Sequence, residues 1–353
     1  MKNKILNIYQ AAESPFLLAK RLGINEASII KLNANENPYG CLPSVQKRLA
    51  KASYHQYPDH TQRKIKEYLS GYTNCALEKL IAGSGADEII DLVCRLLLKP
   101  GDRVLIFPPC FPYYEHVLGL NNLTSVSINR TNQLLIDDEQ VNSFDLSKVS
   151  LVIIASPNNP SGDLVKSSTL KTILDAGVYV LLDEAYYEFS KVSCQEWQLN
   201  YPNLIICRTL SKMFGLAGLR LGYGIMEPNL AKQLHKIKPP YNITIAAEEA
   251  LIASIDDLSI LQQQLVKIIK TRDLLFHKLT KIPEIKAFKS EANFILFKSL
   301  KKNNQEIYNF LLSKGILTRF YDFPKFGAYI RVSVGTAEQM EIFHQELSSA
   351  MNN

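Results

Sequence analysis

LIICRTLSKMFGLAGLRLGYG, Leu204 to Gly224, is the stretch on which the reading of this sequence turns. An apolar run, Leu204 to Cys207, ends in Ser211 and Lys212. Glycines follow at 215, 218, 222 and 224, with Arg220 among them. A lysine at the end of a buried strand is unusual, because burying an ammonium without a partner is costly. Glycines this dense suggest backbone lying close to something bulky. Two readings stand at this point. Lys212 is either a surface lysine beside an ordinary turn or a covalent, Schiff-base nucleophile.

Working outward, the same strand-then-polar-residue arrangement recurs. RVLIF (103–107) leads to PPCFPYYEHV, LVIIA (151–155) to SPNNPSG, and VYVLL (178–182) to DEAYYEF. Strands without polar alternation, separated by helical stretches, indicate a largely parallel sheet covered on both faces. In such sheets ligands sit beyond the carboxyl ends of the strands. That rule places Phe111, Asn159, Asp183, Tyr186, Ser211 and Lys212 along one edge. Further upstream, KLIAGSGADEII joins a short strand to a helix through a glycine turn. Gly85 and Ala86 there present free N–H groups and a positive dipole end to an anion. GSGADE lacks the last glycine of a dinucleotide fingerprint, so a nicotinamide dehydrogenase is disfavoured.

The bulk numbers are those of an ordinary globular chain. Its 353 residues, 46% hydrophobic, suffice for one large domain or two modest ones. The net charge of +6 is spread without a basic block, so nucleic acid is not an expected partner. No apolar run reaches the length of a membrane span. MKNKILNIYQAAESPF at the start lacks a signal-peptide core, which makes the cytoplasm the expected compartment. Six scattered cysteines and six scattered histidines carry neither a disulfide framework nor metal-ligand spacing, so no metal is expected. After about residue 245 the texture changes. A helical stretch near Ile245 to Leu279 is followed by ANFILF, ILTRF and YIRVSVGT, a small α+β unit. On YIRVSV, Ile330, Val332 and Val334 share one face and Arg331 takes the other. Alone, Arg331 reads as an edge or ion-paired residue, or as a substrate clamp. LNANENPYG (32–40) is a structured loop, and Tyr57, before Pro58, is a packed aromatic or a ligand contact.

The residue types along the sheet edge suit pyridoxal 5'-phosphate. That group needs an amine, a carboxylate for its ring nitrogen, donors for its phenolic oxygen, an anion site and an aromatic slab. Lys212, Asp183, Tyr186 with Asn159, Gly85/Ala86 with Ser211 and Arg220, and Phe111 supply them in that order. SPNNPSG, DEAYYEF and SKMFGLAGLRLGYG resemble the signature blocks of the fold-type I, pyridoxal-phosphate-dependent class II aminotransferases. Within that group the chain resembles the histidinol-phosphate aminotransferase family, through LNANENPYG, QYPD, GSGADE, KPPYN, ANFILF, GILTRF and YIRVSVGT.

The resemblance covers nearly the whole chain and implies a fold. A large α/β domain holds a mainly parallel seven-stranded sheet, and a smaller α+β domain is built from both chain ends. The expected division is an arm over 1–42, a cofactor-binding domain over 43–245 and a small domain over 246–353. It also implies transamination between glutamate and histidinol phosphate, in L-histidine biosynthesis. Lys212, Asp183 and Tyr186 match the catalytic residues. Asn159, Ser211 and Arg220 match cofactor ligands. Tyr57 matches a tyrosine that reaches the cofactor phosphate of the neighbouring subunit, which implies a homodimer. Arg331 matches the clamp on carboxylate or phosphate, with Arg319 and Asn35 as further substrate contacts. Phe111 and Ser161 depart from the commoner tyrosine and threonine. Phe111 removes a hydroxyl that could touch substrate, which leaves the substrate range open; an aromatic aminotransferase and a threonine-phosphate decarboxylase share the same scaffold and are the competing activities. A DNA-binding regulator of this type needs a helix-turn-helix segment, for which the stretch before residue 30 has no room.

Overall fold

The computed structural model describes residues 13–352, so residues 1–12 of the expected arm lie outside the described part. A two-residue strand, β1 (Ile30–Lys31), comes first. β2 (Leu80–Gly83), β3 (Arg103–Ile106), β4 (Thr124–Ser127), β5 (Leu151–Ala155), β6 (Tyr179–Asp183), β7 (Leu204–Thr209) and β8 (Gly222–Ile225) then form one seven-stranded sheet. Its order is β2-β8-β7-β6-β5-β3-β4. Every pair from β7 to β4 is parallel, and β8 is antiparallel to both its neighbours.

Burial explains the unalternating sequence of these strands. β5 and β7 are buried at every position. Val152, Ile154, Leu182 and Ile206 pack into a core on one face, while Ile153, Leu181 and Ile205 pack into a second core on the other. A strand with apolar cover on both sides has no polar face to show. Since β8 runs against both neighbours, β2 is parallel to β7. The carboxyl ends of β2, β3, β5, β6 and β7 therefore open on one edge, where a parallel sheet takes its ligand.

β8 shows what the dense glycines lie close to, which is other parts of the chain. Gly222 and Gly224 are strand residues. Gly222 lies so close to the Gly85–Ala86 backbone that a Cβ would collide with the Ala86 nitrogen. Gly224 faces Met226, Ile89 and Ile81, and Gly215 abuts the carbonyl of Gly40. Of the four glycines, Gly222 alone lies against the N-terminus of the helix Ala86–Leu97.

The second sheet is four-stranded and antiparallel, in the order β12-β13-β10-β9. Its strands are β9 (Ile285–Ala287), β10 (Phe294–Ser299), β12 (Arg319–Phe323) and β13 (Gly327–Ser333), while β11 (Ile316–Leu317) pairs in parallel with β1. The early strand β1 thus joins the late part of the chain, as the fold class requires. Ile330 and Val332 enter a core with Leu275, Phe297 and Phe343, which sends Arg331 to the other face of β13. The stretch read as one helix near 245–279 is two, Ile245–Asp256 and Leu258–Thr280, broken at Asp257. The first of these packs on the helices Pro43–Leu49 and Arg63–Thr73.

Residues 32–37 strap the two sheets together. On one side Leu32 N–H donates to Leu317 O (2.7 Å) and Asn35 N–H to Ser333 Oγ (2.8 Å). On the other, Asn35 Nδ2 donates to the Tyr186 hydroxyl (2.9 Å) and Asn37 Nδ2 to Met213 O (2.7 Å). Among the described residues, no helix is long and apolar enough to cross a membrane.

Candidate active site

A cavity of about 280 Å³ lies between the carboxyl edge of the large sheet, the strap and the face of β13 that carries Arg331. Lys212, Asp183, Tyr186, Asn159, Ser211, Arg220, Ala86, Phe111, Asn35, Arg319 and Arg331 all line it. Gly85 stands immediately before Ala86 as the N-cap of the helix Ala86–Leu97. Tyr57 is elsewhere. It is 81% exposed and stacks on Tyr241, with ring centroids 4.6 Å apart.

Lys212 follows β7 and points under the strap, where its Nζ donates to Ala34 O at 3.3 Å. Burial, and then the nearby Arg331 guanidinium, lower its pKa to about 8. An amine so placed has far more of its neutral form at ordinary pH than an exposed lysine has, as a nucleophile or proton carrier needs. Asp183 ends β6 and is 6% exposed. Its Oδ1 accepts from the Ala185 N–H (3.0 Å) and its Oδ2 from the Tyr114 hydroxyl (2.6 Å). Burial still outweighs these donors and raises its pKa to about 6. The base and the acid of the site thus both sit near neutrality, pushed there by the same desolvation.

Around this pair the polar groups converge. The Tyr186 ring lies 5.5 Å from Lys212 Nζ and meets Phe294 edge-on at 5.2 Å. Burial also raises the pKa of its phenol, which stays protonated. Asn159 Oδ1 accepts from Arg331 NH1 at 2.6 Å, and Arg331 NH2 donates to Asn33 O at 2.8 Å. Arg331 is 4% exposed, and its Nε is buried with no hydrogen-bond partner. Arg319, on the neighbouring strand and opposite Arg331 in register, adds a second cation. Tyr321 lies against both, its ring 5.6 Å from the Arg331 guanidinium and 5.8 Å from that of Arg319.

At the opposite end is an anion cradle. Gly85 holds φ +82°, open to glycine, and a Cβ there would strike the Arg220 guanidinium. The helix Ala86–Leu97 aims its free N–H groups at this corner. Arg220 NH1 reaches Ser211 Oγ at 3.4 Å, and its NH2 pairs with Asp87 at 2.9 Å. Thr209 Oγ1 donates to Ser211 Oγ at 2.9 Å. These donors, the buried carboxyl of Asp183 and the amine of Lys212, its pKa lowered by burial, fit pyridoxal phosphate. In such a fit the cradle would take the phosphate, Asp183 the ring nitrogen, Tyr186 and Asn159 the phenolic oxygen, and Phe111 a face of the ring.

Several lining residues escaped the sequence. Tyr114, fully buried, is the partner of Asp183. Its signal was available, since a buried tyrosine seeks a polar partner for its hydroxyl, but Phe111 and Tyr113 offered the same aromatic cue. Asp87, Thr209, Glu36 and Tyr321 also line the cavity without having been singled out.

Comparison with known proteins follows this geometry. Residues 27–347 match the family model for aminotransferase class I and II. The chain is 40% identical over 334 residues to a histidinol-phosphate aminotransferase of Dehalococcoides mccartyi, covering 94% of this chain and 92% of the relative. It is 37% identical to the chloroplastic histidinol-phosphate aminotransferase of Nicotiana tabacum, covering 93% and 80%. In structure it resembles the histidinol-phosphate aminotransferase of Sinorhizobium meliloti, solved in complex with pyridoxal-5'-phosphate. The TM-score is 0.88 at 23% identity, over 100% of this chain and 98% of that one.

Proposed function

The chain belongs to the aminotransferase class I and II family, and we propose on that premise that it exchanges an amino group between glutamate and imidazole acetol phosphate, yielding 2-oxoglutarate and histidinol phosphate for L-histidine synthesis. The observation that carries this reading is the arginine pair. Arg331, with its buried, unpartnered Nε, and Arg319 face the cavity that holds Lys212. A guanidinium with a free buried donor suits a carboxylate in one half-reaction and a phosphate in the other.

Bound pyridoxal phosphate supplies an electron sink for the bonds of the substrate α-carbon. The chain's own residues do the rest. Lys212 Nζ, neutral in large part near pH 8, carries the proton at the α-carbon. Asp183, held in place by Tyr114 and Ala185 N–H, keeps the ring nitrogen protonated. Arg331 orients the substrate by its carboxylate or phosphate, and Asn159 and Asn33 hold Arg331. The strap, through Asn35, fixes the Tyr186 phenol.

Two further parts of the reading concern assembly and place. Tyr57, Tyr54 and Tyr241 form an exposed aromatic patch, 81%, 59% and 50% accessible. A second copy of the chain covers it and receives Tyr57 at its own phosphate cradle. The six cysteines are unpaired, which suits the reducing cytoplasm. The test is spectroscopic and then chemical. Protein loaded with pyridoxal phosphate gains a visible band that glutamate bleaches, and imidazole acetol phosphate restores it. Restoration by phenylpyruvate with none by the phosphate ester makes it an aromatic aminotransferase. Carbon dioxide released from threonine phosphate makes it a decarboxylase.

A further inference from the structure

Behind the cavity, on the reverse face of the large sheet, lies a buried charged cluster that the reaction does not touch. Side chains alternate along a strand. Asp183 and Thr209 face the cavity, so their neighbours Glu184 and Arg208 face away from it. Arg208 Nε and NH2 both donate to Glu184 Oε2, at 3.0 and 2.8 Å. The two side chains are 3% and 1% exposed. Ser193 Oγ donates to the same carboxylate oxygen (2.9 Å) and Cys194 N–H to the other (2.8 Å). The Arg208 guanidinium lies over the Tyr187 ring, 3.7 Å from its centroid. Tyr187 in turn donates to Tyr72 (2.8 Å), whose ring meets Phe214 edge-on at 5.3 Å.

Four members of this cluster stand one or two positions along the chain from a cavity residue. Glu184 follows Asp183, Tyr187 follows Tyr186, Arg208 precedes Thr209, and Phe214 stands two after Lys212. The backbone ladder between β6 and β7 is still closed where Glu184 N–H donates to Cys207 O at 2.9 Å. Beyond that bond the strands diverge into separate loops, and the Glu184–Arg208 pair is what continues to join them. We propose that Glu184 and Arg208 are positioning residues for the transfer reaction, clamping the ends of β6 and β7 from behind and so setting where Asp183 and Lys212 stand relative to each other.

The pair also keeps the region electrically neutral. The groups facing Arg208 are Glu184, Tyr187, Tyr72, Tyr223, Glu188 and the Cys75 thiol. Burial raises Glu188 to about 8, so it is protonated at neutral pH and stands in reserve as a second counter-ion. The groups facing Lys212 are Arg331, Glu36, Asp87, Arg220 and Asp183. None of these is altered when either half of the clamp is replaced. Removing one half of the clamp therefore leaves a single buried charge behind the site, whose sign is known.

The proposal rests on the transaminase reading, and the experiment separates the two. Wild-type protein loaded with pyridoxal phosphate is titrated by its visible band, and the glutamate half-reaction is timed. Absence of any band in wild type counts against the transaminase reading itself. With the band present, Glu184→Gln in a Glu188→Gln background leaves Arg208 uncompensated and shifts the band's pH midpoint down by about half a unit or more. Arg208→Met leaves Glu184 uncompensated and shifts it up by a similar amount. Glu184→Gln combined with Arg208→Met restores the midpoint. Arg208→Lys keeps the charge but loses the two-nitrogen grip and the ring stacking. It keeps the wild-type midpoint and lowers kcat roughly tenfold with little change in KM. This variant also decides the matter if Arg208→Met does not fold. Wild-type kcat in folded Arg208→Lys, or midpoint shifts of the same sign in the two charge variants, overturns the proposal.

Discussion

Replacing Tyr114 by phenylalanine removes one hydroxyl and tests how Asp183 is held. The bond is short, 2.6 Å, and both residues are buried. Burial has already raised the Asp183 pKa from 3.8 to about 6. A hydrogen bond to a charged group contributes ~1.5–3 kcal/mol, which corresponds to roughly one to two pKa units. The variant's Asp183 therefore titrates at about 7 to 8 in the folded, cofactor-free protein. The sign follows from linkage. A carboxyl whose folded pKa lies above its unfolded one binds its proton more tightly when folded. Its cost to stability is absent below the unfolded pKa and is complete above the folded pKa. In wild type that cost grows from about pH 4 to pH 6 and then levels off. In Tyr114→Phe it goes on growing to about pH 8. At pH 5 the variant loses a bond between neutral groups, ~0.5–1.5 kcal/mol. At pH 8 it loses about 1–2 kcal/mol more than that. Urea unfolding of both cofactor-free proteins at pH 5, 6.5 and 8 measures the difference, in which the other titrating groups cancel. A deficit that is the same at all three values, or that shrinks toward pH 8, refutes the account of Asp183.

Other expectations follow from single features. Arg331→Lys loses the planar fork that Asn159 and Asn33 hold, and steady-state kinetics should show KM for glutamate and for the phosphate ester rising roughly tenfold or more with a smaller change in kcat. Gly85→Ala places a methyl group against Arg220 at a positive φ; at ~1–3 kcal/mol of strain, absorbance titration should show pyridoxal phosphate binding weakened roughly tenfold to a hundredfold. Mixing inactive Tyr57→Ala and Lys212→Ala proteins should recover up to about a quarter of wild-type activity if each site takes its tyrosine from a second copy; no recovery after verified subunit exchange sinks that arrangement.

How much of this was legible beforehand depended on the physics of each part. The runs LVIIA and VYVLL announced buried parallel strands because cover on both faces leaves no position for a polar side chain. Lys212, Asp183 and Asn159 were legible because polar residues directly after such runs have one place to go, the carboxyl edge. β8 was not, since Gly-Tyr-Gly-Ile carries no strand signature; its Gly222 answers to the helix N-terminus packed against it, a tertiary fact. The break at Asp257 was equally silent, because apolar spacing continues across it. Tyr114 was hidden among equivalent aromatics. That Asn35 and Ser333 meet could not be read at all, for they are 298 positions apart. Tyr57 is a different case, as the role proposed for it lies on a second copy of the chain.

That long reach has a consequence for how the protein is made. The cofactor end of the cavity uses residues up to Arg220, and all of them leave the ribosome while β12 and β13 are still untranslated. The substrate end needs Arg319 and Arg331, and the strap that closes it waits for Leu317 and Ser333. Until then Asn33 and Asn35, among the first residues synthesised, have no late strand to bind. A chain stalled near residue 300 therefore has every residue of the cradle and Lys212 but lacks Arg319 and Arg331. In that order of synthesis, every residue of the phosphate cradle is made before the two arginines at the other end of the cavity.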